Sequence, residues 1–224
     1  MRRTSGDGMQ QNQPAASATL LADSRNALGE GATWCDATHA LYWTDIEGAR
    51  LWRCRADGSA LTQWPMPERL ACFALTDDPN VLLVGLATHL AFFDLHSGAF
   101  TRIVDVEPEL PTRLNDGRCD PFGAFVFGMK DEGGDPPARG GRLLSAQSRS
   151  SRFERLALPP AAIANSIAFS SDGTKAVLLL FDGCAKSSSA DYGTAACPGV
   201  WPIQSPELIR TVNRNGVTIR TPTE

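Results

Sequence analysis

Residues 72–104 read CFALTDDPNVLLVGLATHLAFFDLHSGAFTRIV, and this stretch decides the fold. It contains four short apolar runs, at 72–75, 81–86, 89–95 and 100–104, which are separated by short turn segments. No window within it holds the 3.6-residue apolar period of an amphipathic helix. The stretch therefore predicts four consecutive strands that turn back on one another as a meander.

The same order of strands and turns recurs on both sides of this stretch. The second strand of each unit begins near Leu41, Val81, Phe125 and Val177, so the units are 40, 44 and 52 residues apart. A period of about 40–50 residues with four strands per unit is typical of β-propeller blades. We therefore predict an all-β fold, a β-propeller of which about three and a half blades are present. A β-sandwich with regular hairpins is the alternative.

The pattern divides the chain into three segments. Residues 1–18 are rich in polar residues and predict a disordered leader, and residues 19–181 carry the strand pattern of a partial propeller domain. A Ser-rich run follows Phe181, and no strand pair is readable after it. We therefore expect residues 182–224 to form an atypical, poorly ordered tail.

Composition excludes several classes of function. The chain has 21 Lys and Arg against 25 Asp and Glu, a net charge of −4, so nothing favours a nucleic-acid partner. The longest nearly apolar stretch, residues 81–93, is shorter than the roughly 18–20 residues that span a bilayer. No apolar signal-peptide core follows the first arginines. We expect a cytoplasmic protein with no membrane association and no dedicated protein partner, whose six cysteines are mostly packed, reduced thiols.

Polar side chains are found where the innermost strand of a blade would begin. Glu30 lies in Leu-Gly-Glu-Gly, Arg113 and Asn115 in Arg-Leu-Asn-Asp-Gly, and Asn165 in Ile-Ala-Asn-Ser. Innermost strands line the central channel of a propeller, so these groups would converge there. Carboxylate and amide oxygens suit calcium, magnesium or manganese and are tolerated by zinc. Taken singly, Asn115 and Asn165 can also be ordinary turn formers, and that alternative stays open.

At these motifs the sequence resembles a known family. It is similar to senescence marker protein (regucalcin), gluconolactonase and luciferin-regenerating enzyme, particularly the bacterial sugar lactonases, from about residue 28 to residue 173. The resemblance is carried by five ordered stretches, at residues 28–34, 41–46, 113–121, 127–132 and 163–170. The fold that it implies is a six-bladed propeller with one divalent metal in the central channel.

The resemblance also implies roles for particular residues. Glu30 and Asn165 would be metal ligands, while Arg113, Asn115 and Glu132 would contact the substrate. The cofactor would be one divalent metal ion, with calcium expected first and zinc, manganese, magnesium or iron as alternatives.

The activity that the family resemblance implies is metal-dependent hydrolysis of a sugar lactone to its aldonic acid. Arabinono-, glucono- and xylonolactone are candidate substrates, and the metal would act as a Lewis acid on the lactone carbonyl. A non-catalytic calcium-binding or interaction propeller is the alternative.

Two features depart from the family pattern. The family's general-base aspartate normally lies in a Pro-Asp-Gly motif, which this chain does not contain, so the catalytic base is unknown. Ala164 and Ser166 flank Asn165, where the family usually has Ser and Gly, and a β-carbon at position 166 would strain a backbone of positive φ. We therefore expect a truncated or frame-shifted member that leaves the family's sequence after about residue 177 and has little activity.

This expectation is tested at the level of the gene. Reading the coding DNA in the other two frames beyond codon 177 should recover a Pro-Asp-Gly motif and further blade strands. If neither alternative frame contains them, the frame-shift interpretation is wrong.

Overall fold

The structure of this protein is a computed structural model. It describes residues 18–134, 143–146, 153–156, 161–170, 175–181 and 196–202. The expected leader lies outside the described residues except for residue 18. All regular secondary-structure elements in the described ranges are β-strands, which confirms the all-β prediction. The described ranges contain no helix, and so none that could span a membrane.

The described strands form two four-stranded antiparallel sheets and one seven-stranded sheet, in which a single bridge joins a four-stranded and a three-stranded meander. We call the four meanders blades 1 to 4. Blade 1 consists of β1 (Gly29–Cys35), β2 (Ala40–Asp45), β3 (Arg50–Arg55) and β4 (Thr62–Pro65). Blade 2 consists of β5 (Leu70–Leu75), β6 (Val81–Leu86), β7 (His89–Asp94) and β8 (Phe100–Asp105). Blade 3 consists of β9 (Thr112–Cys119), β10 (Phe125–Asp131), β11 (Leu143–Ala146) and β12 (Phe153–Arg155). Blade 4 consists of β13 (Ile163–Phe169), β14 (Lys175–Phe181) and β15 (Ala196–Pro202).

Each blade packs on the next through buried apolar side chains. Tyr42 and Leu51 of blade 1 share one buried cluster with Phe73 of blade 2, and Leu83 of blade 2 shares a second with Leu114 of blade 3. Blades 3 and 4 share a smaller cluster. Burying a side chain of this size stabilises the folded state by about 1.5–3 kcal/mol. The faces between blades therefore hold the chain together.

The first strand of each blade is the innermost one. These strands lie side by side, since β1 contacts β5, β5 contacts β9 and β9 contacts β13. A single bridge between Lys130 and Ile163 also joins β10 to β13. Successive meanders whose first strands line one channel are the architecture of a β-propeller.

Strand pairing continues further than the sequence predicts. β15 pairs with β14 along its whole length, from Lys175 opposite Pro202 to Phe181 opposite Ala196. The sequence analysis identified no strand in this part of the chain, and the rest of the expected tail, residues 182–195 and 203–224, lies outside the described residues. The strand contains the run Cys-Pro-Gly, and because proline and glycine are depleted in strands, the pattern gave no signal there.

The innermost strands of blades 1, 3 and 4 carry the same irregularity, a bulge in which two residues oppose one on the next strand. The paired residues on either side of each bulge are Glu30 and Thr33 in β1, Leu114 and Gly117 in β9, and Asn165 and Ala168 in β13. A bulge bends its strand and re-aims the side chains beside it. Glu30, Asn115 and Asn165 all lie in or beside a bulge.

Two of these bulges begin with a residue of positive φ. Gly31 has a φ of 66° in β1, and Ser166 has a φ of 54° in β13. This left-handed region suits glycine, and it costs a residue with a β-carbon about 1–2 kcal/mol. The strain that the sequence suggested beside Asn165 is therefore present at Ser166.

Exchanging these residue types is expected to move the free energy of unfolding in opposite directions. Ser166→Gly should stabilise the chain by about 1 kcal/mol, because it removes the strain of the left-handed backbone. Gly31→Ala should destabilise it by a similar amount, because a β-carbon there meets nothing closer than 3.7 Å and only the backbone is strained. Urea unfolding followed by circular dichroism measures both.

Ala168→Gly is the matched control for this pair, because Ala168 is exposed on the same strand and its φ is not positive. A glycine there should cost about 0.5–1 kcal/mol. Stabilisation by both glycine substitutions, or by neither, would contradict the assignment of strain to Ser166.

Candidate functional site

Two side chains of the β9 bulge hold the β13 strand. Asn115 donates from Nδ2 to the carbonyl of Ala164 at 3.3 Å, and Asp116 accepts at Oδ2 from the amide of Ile167 at 3.1 Å. These contacts fall on the two sides of Asn165. The structure therefore brings the predicted metal ligand Asn165 beside the predicted substrate residue Asn115.

Asp116 was missed by the sequence analysis, which treated Asn-Asp-Gly as a possible turn. Its Oδ1 accepts the amide of Gly117 at 2.8 Å, so both carboxylate oxygens are hydrogen-bonded to backbone. The residue next to it in the chain, Asn115, was the one identified. A two-residue bulge exposes both side chains to the neighbouring blade, and sequence spacing does not reveal that.

Glu30 joins the same site through charge. Its carboxylate is half-buried, and its pKa is raised first by loss of hydration and then by the nearby charge of Asp116. Arg113 and Lys130 act in the opposite direction. Glu30 of blade 1 therefore lies within electrostatic range of the charged groups of blade 3.

Arg113 is buried, with 2% of its surface exposed, and most of its donors are occupied. Nε donates to Glu132 Oε1 at 3.0 Å, while Nη1 donates to Asn115 Oδ1 at 3.0 Å and to the carbonyl of Leu114 at 2.7 Å. Nη2 lies 4.0 Å from Glu47 Oε1, beyond hydrogen-bond distance. Arg113 thus orients Asn115 and Glu132 and keeps Nη2 for a further acceptor.

Glu132 is held by a second arginine that the sequence analysis did not identify. Arg69 donates to both of its oxygens, from Nη1 at 2.8 Å and from Nη2 at 2.7 Å. The hydrogen bond to Arg69 is the main reason why the pKa of Glu132 lies below its usual range. One signal was available, because Arg69 immediately precedes β5, just as Arg113 lies at the start of β9.

The oxygen donors of the site suit a hard divalent cation. The negative charge of Asp116 disfavours ionisation of Glu30, and a cation between blades 1 and 3 would relieve this. The Asn165 amide oxygen accepts only the amide of Ser166 among the described residues, so one lone pair is left. No three His, Cys, Asp or Glu side chains gather as a metal site in the described ranges. An amide oxygen such as that of Asn165 would therefore have to complete the set.

Comparison with known proteins shows to which family the chain belongs. The sequence profile of the SMP-30/gluconolactonase/LRE-like region matches residues 28–187. The chain belongs to the SMP-30/gluconolactonase/LRE-like family. This confirms the resemblance drawn from the motifs, and it extends over most of the described structure.

Two curated relatives of this family member are lactonases. L-arabinolactonase from Azospirillum brasilense is 78% identical over 167 residues, which are 75% of this chain and 55% of the relative. 6-Deoxy-6-sulfogluconolactonase from Pseudomonas putida is 30% identical over 152 residues, 66% of this chain and 49% of the relative. The chain thus spans about half the length of these relatives.

Solved structures agree on the fold. Regucalcin from Agrobacterium tumefaciens, a calcium-binding protein, superposes with a TM-score of 0.62 at 24% identity, covering 72% of this chain and 58% of that one. A luciferin-regenerating enzyme superposes with a TM-score of 0.63 at 22% identity, covering 79% and 60%. The β-propeller prediction is confirmed.

Replacing the Glu30 carboxylate by an amide is expected to stabilise the metal-free chain at neutral pH. A carboxyl group whose pKa is raised in the folded state opposes folding once it ionises, so the penalty grows as pH rises above about 4.3 and is complete above the folded-state pKa. Glu30→Gln should therefore resist urea better than the parent chain at pH 7.5 in EDTA, and equally at pH 4.

Glu109→Gln provides the control, because Glu109 is exposed in the segment between β8 and β9. It should leave the urea midpoint unchanged at both pH values. A Glu30→Gln variant that is less stable than the parent chain at pH 7.5 would show that the Glu30 carboxylate is stabilised by its surroundings, contrary to this account.

Proposed function

We propose that this site hydrolyses a sugar lactone to its aldonic acid with the help of one divalent metal ion, for which calcium is the first candidate. The main support for the proposal is that Arg113 is hydrogen-bonded to both Asn115 and Glu132. These polar groups lie near Glu30, whose pKa the charge of Arg113 lowers, and near the strand of Asn165. Membership of the family and the 78% identity to L-arabinolactonase favour arabinonolactone among the aldonolactones.

Each predicted residue has a task in this proposal. Glu30 and Asn165 would hold the metal, which when bound would polarise the lactone carbonyl as a Lewis acid. Nη2 of Arg113 donates to a ring or hydroxyl oxygen. Glu132, kept ionised, only accepts hydrogen bonds, so it binds a substrate hydroxyl and does not deliver a proton.

The group that activates water is unassigned. Both carboxylate oxygens of Asp116 accept backbone amides, and both of Glu132 accept arginine donors, so each carboxylate already holds neighbouring parts of the site together. This favours one alternative, a propeller that binds calcium without turning over a lactone. The neighbour from Agrobacterium tumefaciens is itself a calcium-binding protein.

Acid release at constant pH decides between the two functions. The purified chain, freed of metal with EDTA and reloaded with calcium, manganese or zinc, is offered arabinono-, glucono- and xylonolactone. Because no water-activating group is assigned, we expect only a slow metal-dependent rate above spontaneous hydrolysis. Glu30→Ala should lower that rate at least about tenfold, since replacing a residue that merely orients a metal ligand already costs that much. Glu109→Gln should keep the parent rate.

Thermal melting recorded in parallel shows whether the chain is folded and whether a metal stabilises it. A folded chain without activity, which calcium stabilises only when Glu30 is present, is a calcium-binding propeller. A folded chain that shows neither hydrolysis nor stabilisation by any of the three metals overturns the proposed function.

A further inference from the structure

Arg69 connects blade 2 to the candidate site. It lies half-buried just before β5. It donates two parallel hydrogen bonds, of 2.8 and 2.7 Å, to the carboxylate of Glu132, which is 63 residues away in sequence. The planar guanidinium matches both oxygens of a carboxylate at once, which fixes direction as well as distance. A lysine at this position supplies the charge without the fork.

The orientation of the Glu132 side chain depends on these two hydrogen bonds from Arg69. It lies in the exposed turn after β10, where its backbone amide donates to the carbonyl of Pro111 at 2.8 Å. The backbone is therefore anchored, but a glutamate side chain in a turn retains several rotatable torsions. Arg113 donates to one oxygen, Oε1, and Arg69 donates to both. Without Arg69, Oε2 has no donor among the described residues.

The same contacts balance charge across three blades. Glu47, in the turn between β2 and β3 of blade 1, lies 3.7 Å from Arg69 and 4.0 Å from Arg113. Two guanidinium groups therefore face two carboxylates, Glu47 and Glu132. Neither arginine is left as an uncompensated cation that would attract an anionic group on a ligand.

We propose that Arg69 is a positioning and specificity-determining residue of the candidate site. It holds the Glu132 carboxylate in the direction from which its remaining lone pairs accept a substrate hydroxyl. Glu132 and Glu47 together offset the charges of Arg69 and Arg113, so the site selects neutral polyhydroxyl lactones over lactones that carry an anionic substituent. This inference rests on the proposed function of the same site.

Three variants of the full chain test the proposal. Arg69→Gln removes the charge and the fork, Arg69→Lys keeps the charge alone, and Glu132→Gln frees both arginines from their shared carboxylate. Arg102→Gln is the matched control, because Arg102 forms an exposed ion pair with Asp105 on β8 of the same blade. Thermal melting establishes that each variant is folded.

The first readout does not require activity. Carbon-13 NMR of chain labelled at the glutamate carboxyl carbon, with the Glu132 signal assigned from Glu132→Gln, follows the titration of that group. Arg69→Gln should raise the pKa of Glu132 towards the ordinary glutamate value, and Arg69→Lys should raise it less. Arg102→Gln should leave it unchanged.

The second readout is ligand preference, with glucitol as the neutral probe and glucitol 6-phosphate as the anionic one. Calorimetric titration of Arg69→Gln should show glucitol binding weakened about tenfold, as expected when a residue that orients a binding group is lost. Glu132→Gln should shift the ratio of the two affinities towards the phosphate. With arabinonolactone as substrate, Arg69→Gln should raise KM more than it lowers kcat.

Different results would contradict the role of Arg69 and the proposed lactone hydrolysis. An unchanged Glu132 pKa and unchanged affinities in Arg69→Gln, or equal changes in Arg102→Gln, overturn the role of Arg69 while hydrolysis by the parent chain stands. If the parent chain neither hydrolyses lactone nor binds glucitol although Arg69→Gln shifts the Glu132 pKa, the proposed function is wrong and the Arg69 pair is structural only.

Discussion

A buried guanidinium is the constraint on which the candidate site depends. Arg113 is almost fully removed from water, and a charge in that position costs several kcal/mol unless it is paired and hydrogen-bonded. Its partners are therefore fixed rather than optional: a carboxylate on the next strand's turn, an amide two residues along, and a backbone carbonyl. Arg69 of blade 2 in turn donates to the Glu132 carboxylate. The buried charge of Arg113 is therefore surrounded by side chains from blades 2 and 3.

The apolar packing between blades sets where that charge is buried. Leu114 points into the cluster shared by blades 2 and 3, which fixes the register of β9 on either side of it. The bulge that follows places Asn115 and Asp116 where they reach β13 instead of continuing the ladder. The position of Asn165 thus follows from blade packing first, and from hydrogen bonds between β9 and β13 second.

Sequence patterns predicted what is local or periodic and missed what is distant. The repeat of strands predicted the propeller, and the polar residues of β1, β9 and β13 were identified as candidates because each stands at an equivalent place in a blade. Arg69 and Asp116 were missed because their partners are 63 and 51 residues away. β15 was missed because its proline and glycine hide a strand that pairing with β14 supports.

The backbone beside Asn165 gives a physical reason to regard that residue as placed for function. A left-handed φ at a residue with a β-carbon is unfavourable, and such strain persists only where the surroundings determine the conformation. At Ser166 the surroundings are the contacts of Asn115 and Asp116 to the residues on either side. In blade 1 the equivalent position is Gly31, which adopts the same conformation without strain beside Glu30. Two blades therefore place a left-handed residue beside a candidate oxygen ligand, and in blade 4 this conformation is kept at a cost in stability.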